Sequence, residues 1–97
     1  MEIIKSSAAG TMESSDIMVT IEPGSGDIQI ELKSMVENQF GRQIRSVIAG
    51  TLAELQVKNA KVTAVDMGAL DCTIQARIKT AAFRAAEKDM KEWRAPK

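Results

Sequence analysis

The chain has 97 residues, 44% of them hydrophobic and 27% charged, which suits one soluble globular domain with a modest core. Its 13 basic and 13 acidic residues cancel, and with only Phe40, Phe83 and Trp93 as aromatics neither nucleic-acid reading nor binding to anionic membrane is expected. Histidine is absent and Cys72 is the single cysteine, which excludes Cys/His zinc sites, an intrachain disulfide and nucleophile–histidine triads.

Met1 to Ser15 carries small and polar side chains around the apolar pair Ile3 and Ile4, and reads as a flexible arm. It lacks a long apolar leader segment, and no run in the chain approaches membrane-spanning length, so a cytoplasmic location is expected. From Asp16 the pattern changes. Ile17, Val19 and Ile21 alternate with Met18, Thr20 and Glu22, the period of a strand. Pro23-Gly-Ser-Gly26 is a turn cluster, and beyond it Ile28, Ile30 and Leu32 alternate with polar residues to complete a β-hairpin.

Ser34 and Glu37 have the spacing of a capping box. The stripe Val36, Phe40, Ile44, Val47, Ile48 and Leu55 then predicts a helix running through Gly41 and Gly50 to Lys58-Asn59. Ala60 to Met67 reads as a third strand and Gly68-Ala69 as a reversal. Leu70, Cys72, Ile74, Ala76 and Ile78 alternate with polar residues, which predicts a fourth strand. From Thr80, Phe83, Ala86, Met90 and Trp93 recur at helical spacing and predict a C-terminal helix. The expected order is ββαββα: a two-layer α+β fold with an antiparallel four-stranded sheet and both helices on one face. Residues 1–15 form the arm and residues 16–97 a single domain on this reading.

Little in the chain advertises catalysis. Cys72 falls on the apolar side of the expected fourth strand, where a free cysteine packs as a small hydrophobe. Asp66 and Asp71 flank the Gly68-Ala69 turn, where acids are solvated or bound to local backbone N–H groups. Pro23 to Gly26 lacks the lysine and the following helix of a phosphate loop. Ser14 and Ser15, bracketed by Glu13 and Asp16, remain: a polar loop, or an accessible hydroxyl that a partner enzyme modifies, guided by the adjacent acids.

Three separated segments carry a resemblance. Ala9-Gly-Thr-Met-Glu-Ser-Ser-Asp-Ile-Met-Val19, Val36-Glu-Asn-Gln-Phe-Gly41, and Asp66-Met-Gly-Ala-Leu-Asp-Cys72 continuing to Arg77 resemble the acyl carrier protein (gamma chain) family of citrate lyase, from about Ala8 to Ala86. The resemblance implies a non-catalytic carrier whose serine bears 2'-(5''-phosphoribosyl)-3'-dephospho-coenzyme A through a phosphodiester. The matching position is Ser14, directly after Glu13, with Ser15 as the alternative. It also implies a prosthetic-group transferase, an alpha subunit that transfers acyl groups and a beta subunit that cleaves the citryl thioester. The carrier of malonate decarboxylase is the related alternative, and an adaptor without prosthetic group, docking by a sheet edge or Trp93, is the alternative from another class.

Overall fold

Two stretches of alternation, around Ile17–Ile21 and Val62–Ala64, pair directly with each other and form the middle of the sheet. The computed structural model describes residues 1–34 and 37–88. Its elements are β1 (Ser7–Gly10), β2 (Ile17–Pro23), β3 (Ile28–Ser34), α1 (Glu37–Glu54), β4 (Ala60–Asp66) and α2 (Asp71–Ala85). The sheet order is β1-β2-β4-β3. β1 with β2 and β2 with β4 are antiparallel, whereas β3 runs parallel to β4.

The fold is therefore α+β with a four-stranded sheet and two helices, but the sheet is mixed and the order is βββαβα. The expected antiparallel sheet and the ββαββα order are both corrected. The expected hairpin from Ile17 to Leu32 is also corrected. Both of its strands exist, yet β4 lies between them. Gly24 shows how the connection manages this. It passes over the start of β4, where a Cβ on Gly24 would stand 2.7–2.9 Å from the backbone of Ala60. Ala60 in turn donates its N–H to the Asp27 carbonyl at 3.1 Å. A parallel β3–β4 pair then requires a crossover, which α1 supplies.

Register places Ile17, Val19 and Ile21 of β2 beside Asp66, Ala64 and Val62 of β4, and Val62 and Ala64 beside Ile30 and Leu32 of β3. These alternate residues form the inner face, and Ile44, Ile48 and Leu52 of α1 with Ile74, Ile78 and Phe83 of α2 close over it. Each fully buried isoleucine contributes about 1.5–3 kcal/mol relative to exposure. Glu22, Gln29, Glu31, Lys33, Lys61 and Thr63 are on the opposite, solvated face, exposed or half-buried. Each helix also sends an arginine to an edge strand: Arg84 Nη1 donates to the Ala8 carbonyl and Arg45 Nη1 to the Ile30 carbonyl, both at 3.0 Å. Edge carbonyls engaged in this way are poorer templates for a foreign strand.

The expected fourth strand is the first half of α2. Ile74 and Ile78 are four residues apart, a spacing that satisfies a period of two and of 3.6 alike. Both are buried, but Cys72 and Ala76, which share a face with them only in a strand, are exposed, as is Leu70 just before the helix. The expected arm also contains structure. Ser7–Gly10 form the edge strand β1, Ile3 and Ala9 join the core, and the N–H groups of Ile4 and Lys5 donate to the Ala85 carbonyl at 2.9 and 3.1 Å. Of the stripe expected for the first helix, Ile44 and Ile48 of α1 and Leu55 just beyond its end are buried, while Phe40 is 51% exposed. Val36, Met90 and Trp93 lie outside the described residues. Among the described residues no helix is long and apolar enough to cross a membrane.

Candidate functional site

Ser14 and Ser15 sit on the loop that joins β1 to β2. Gly10 closes β1 with φ of 104°, and a Cβ there would run into the Ile17 carbonyl, so the two strands approach at a point only glycine fits. Thr11 folds the loop back on itself: its Oγ1 donates to Asp16 Oδ2 at 2.7 Å and accepts the Glu13 N–H at 3.2 Å. The Asp16 N–H donates to the Glu13 carbonyl at 3.2 Å, closing a four-residue turn with Ser14 and Ser15 at its corners.

Ser15 holds φ of 65°, a left-handed conformation that costs roughly 1–2 kcal/mol outside glycine. Two backbone bonds keep it there. The Ser15 N–H donates to the Met67 carbonyl and the Met67 N–H to the Asp16 carbonyl, each at 2.8 Å. The loop thus prolongs the β2–β4 ladder by one step. Both serines are exposed, and neither hydroxyl has a hydrogen-bond partner among the described residues.

Asp16 ties this turn to the helix layer. Its Oδ1 accepts from Arg77 Nε at 3.0 Å and from the Ile17 N–H at 2.7 Å, and its Oδ2 accepts from Arg77 Nη2 at 2.8 Å. The Arg77 bonds, then Thr11 and the Ile17 N–H, hold the Asp16 carboxyl well below the usual carboxylate range against the opposing effect of burial. The Asp16 side chain is 13% exposed. Its charge faces inward to Arg77, so of the two acids expected to guide a partner only Glu13 is presented to solvent.

The next loop, Met67 to Leu70, stands beside the serines. Asp66 is 1% exposed and accepts from the Gly68 N–H at 3.1 Å, the Ala69 N–H at 3.0 Å and Ser34 Oγ at 2.9 Å. Asp66 therefore serves the local backbone, as expected for a turn acid. It also receives the hydroxyl of Ser34, the residue expected to cap α1; the Glu37 side chain lies outside what is described. Asp71, in the first turn of α2, accepts from Gln43 Nε2 of α1 at 3.0 Å. Between these helix starts lies an open groove of about 460 Å³, lined by Phe40, Gln43, Asp66, Gly68, Leu70 and Asp71. A larger groove of about 880 Å³, lined by Ile3, Pro23, Gly24 and Lys58, lies at the far end of β2, roughly 20 Å from the serines along the strand.

The chain matches, over residues 4–85, the family model described as malonate decarboxylase delta subunit. It is 53% identical over 94 residues to the citrate lyase acyl carrier protein of Streptococcus uberis, covering 97% of this chain and 93% of that one. The corresponding proteins of Streptococcus mutans (54% over 95 residues; 97% and 93% covered) and Halothermothrix orenii (52% over 87 residues; 90% and 93% covered) are similarly related. The chain belongs to the citrate lyase acyl carrier protein family. Its fold is shared with a chain of a Pseudomonas malonate decarboxylase hetero-tetramer solved with malonate, at a TM-score of 0.70, 19% identity and 88% coverage of both chains.

Within this acyl carrier, then, Ser14 and Ser15 lie together on one braced turn. Cys72 is corrected: it is exposed on α2 rather than packed in the core. Arg77 and Met67, which hold the serine turn, escaped the reading of function from sequence. Arg77 lies 61 positions from Asp16, and only the fold brings them together.

Proposed function

We propose that this protein is the non-catalytic acyl carrier subunit of a cytoplasmic citrate lyase, modified on Ser14 with 2'-(5''-phosphoribosyl)-3'-dephospho-CoA. The observation that carries the role is identity of 52–54% to citrate lyase acyl carriers along nearly the whole chain. Support for Ser14 comes from its place directly after Glu13, in solvent, with a hydroxyl that has no hydrogen-bond partner among the described residues. Such a hydroxyl is available to become a phosphodiester without breaking anything that holds the turn.

When attached, the arm supplies a terminal thiol on which acetyl and citryl groups ride as thioesters. The chain's own part is mechanical. The Arg77–Asp16 bonds and the Ser15–Met67 ladder step fix the point of attachment, while exposure of Ser14 leaves the arm free to sweep. Tethering replaces diffusion by a high local concentration at the active sites of an acyl-transferring alpha subunit and a citryl-cleaving beta subunit. A prosthetic-group transferase is the third partner. The family model and the shared fold favour malonate decarboxylase as the second reading, with the same kind of arm.

Intact mass after co-expression with the maturation enzymes tests the attachment. An adduct on the wild-type chain and none on Ser14→Ala is expected, and an adduct that survives the substitution overturns the assignment. Reconstitution then decides the substrate. Citrate-dependent oxaloacetate formation is expected; malonate-dependent decarboxylation instead gives the protein to the second reading.

A further inference from the structure

The groove between the first turns of α1 and α2 is placed to act on the arm. Its wall begins at Gly68, next in the chain to Met67, whose carbonyl holds Ser15 at 2.8 Å. Two large apolar side chains border it in the open, Phe40 at 51% and Leu70 at 69% exposure. Leu70 is held there by its role as the residue before α2, where its carbonyl accepts the N–H groups of Thr73 and Ile74, both at 3.0 Å.

Its polar lining selects the chemistry of an occupant. The N–H groups of Gly68 and Ala69, which elsewhere would cradle an anion, already donate to the buried Asp66 carboxylate. Asp71 adds a second carboxylate, and among the described residues no basic side chain lines the groove. Phosphate and the carboxylates of a citryl group are repelled. The carboxylate and amide at the mouth are joined by one bond, Gln43 Nε2 to Asp71 Oδ2. Asp71 Oδ1 and Gln43 Oε1 are left as acceptors without a partner among the described residues. The lining thus calls for a flat, neutral, partly apolar group that donates hydrogen bonds.

Resting on the reading of Ser14 as the anchor, we propose that this groove seats the adenine of the prosthetic arm, between Phe40 and Leu70, with its exocyclic amine donating to Asp71 Oδ1 or Gln43 Oε1. Adenine suits these demands through its flat ring, which neither the charged pyrophosphate nor the branched pantetheine chain offers. Its ring stacks on an aromatic face and its amine is a neutral donor, whereas the pyrophosphate is an anion. The base is also bound through its ribose to the phosphoribosyl unit on the serine, so it stays near the anchor whatever the pantetheine end does. Seating the base fixes the root of the arm and leaves the thiol end free to travel between partners.

The test is NMR on apo- and holo-protein, with holo-protein verified by an intact-mass adduct absent from Ser14→Ala. Contacts between the adenine C2 and C8 protons and the side chains of Phe40 and Leu70 are expected, with amide shifts concentrated in residues 40–44 and 67–72. Phe40→Ala with Leu70→Ser, both at exposed positions, should abolish the holo-dependent amide shifts of Gln43, Ile44, Gly68 and Ala69 while the adduct forms as before; Lys58→Ala in the distant groove should leave those shifts intact. A verified adduct whose adenine protons touch neither side chain overturns the proposal. So do contacts from pantetheine methyl groups in place of adenine, or groove shifts that arise only on adding a partner subunit. Absence of any adduct overturns the Ser14 reading itself, and the proposal with it.

Discussion

Arg77 on α2 grips Asp16 at the base of the serine turn in a two-pronged bond, Nε to Oδ1 at 3.0 Å and Nη2 to Oδ2 at 2.8 Å. Planar pairing of this kind fixes orientation as well as distance. The loop that carries Ser14 is thereby referenced to the helix layer and not only to its own strands. Lysine offers one point charge in place of the fork, so Arg77→Lys retains attraction but loses direction.

A pH dependence follows with a definite sign. Folding lowers the Asp16 pKa from its ordinary 3.8, with Arg77 the main cause. Below that value the unfolded chain takes up a proton that the folded chain refuses, so acid favours unfolding. The stability owed to this carboxylate is complete at neutral pH and fades as the pH falls through 3.8 toward the lower folded value. Urea midpoints of the wild type and Asp16→Asn should differ by a constant amount from neutrality to about pH 5, then converge in stronger acid. Convergence near neutrality would show that another group governs the difference.

Two glycines should answer alanine in opposite ways. At Gly10 the positive φ and the Ile17 carbonyl both oppose a Cβ, so Gly10→Ala should destabilise by at least about 2 kcal/mol. Gly50 lies in an exposed part of α1 where a Cβ meets nothing within 4 Å. Gly50→Ala should therefore stabilise by about 0.5–1 kcal/mol through helix propensity. Chemical denaturation measures both; a loss at Gly50 or neutrality at Gly10 contradicts the local geometry.

The same particulars show what the sequence disclosed. Alternation located β2, β3 and β4, because each has one face against the core and one in water. It failed over Leu70 to Ile78, where Ile74 and Ile78 fit two periods at once and the exposed Leu70, Cys72 and Ala76 imitate a strand face. Strand neighbours were beyond its reach, since four residues after Pro23 fit a hairpin as well as a crossing over Ala60. The serine pair was legible as residues and by resemblance. Its bracing was not, because Arg77 and Met67 meet the turn only through the fold.

Exposure of Cys72 has a direct chemical consequence. A thiol on the solvent side of α2 reacts without any opening of the core. Labelling by a disulfide reagent in the folded protein should approach the rate in denatured chain, and Cys72→Ser should alter stability by no more than about 0.5 kcal/mol. Strong protection of the thiol in the folded state would return the residue to the core.

Ser15 provides the sharpest separation of the two hydroxyls. Its backbone is left-handed at φ of 65°, so glycine suits the position better than serine or alanine. Its contribution to the turn is the N–H that reaches the Met67 carbonyl at 2.8 Å, which glycine keeps. Ser15→Gly removes the second hydroxyl while leaving the turn in place, with a net stability gain of a few tenths to about 1 kcal/mol after the added freedom of the unfolded chain is counted. Ser15→Ala lacks this advantage, because it retains the strained conformation. With Ser14 as the anchor, intact mass should show a full adduct on Ser15→Gly and none on Ser14→Ala. Loss of the adduct on Ser15→Gly, in protein whose denaturation midpoint is unchanged or raised, would transfer the attachment to Ser15.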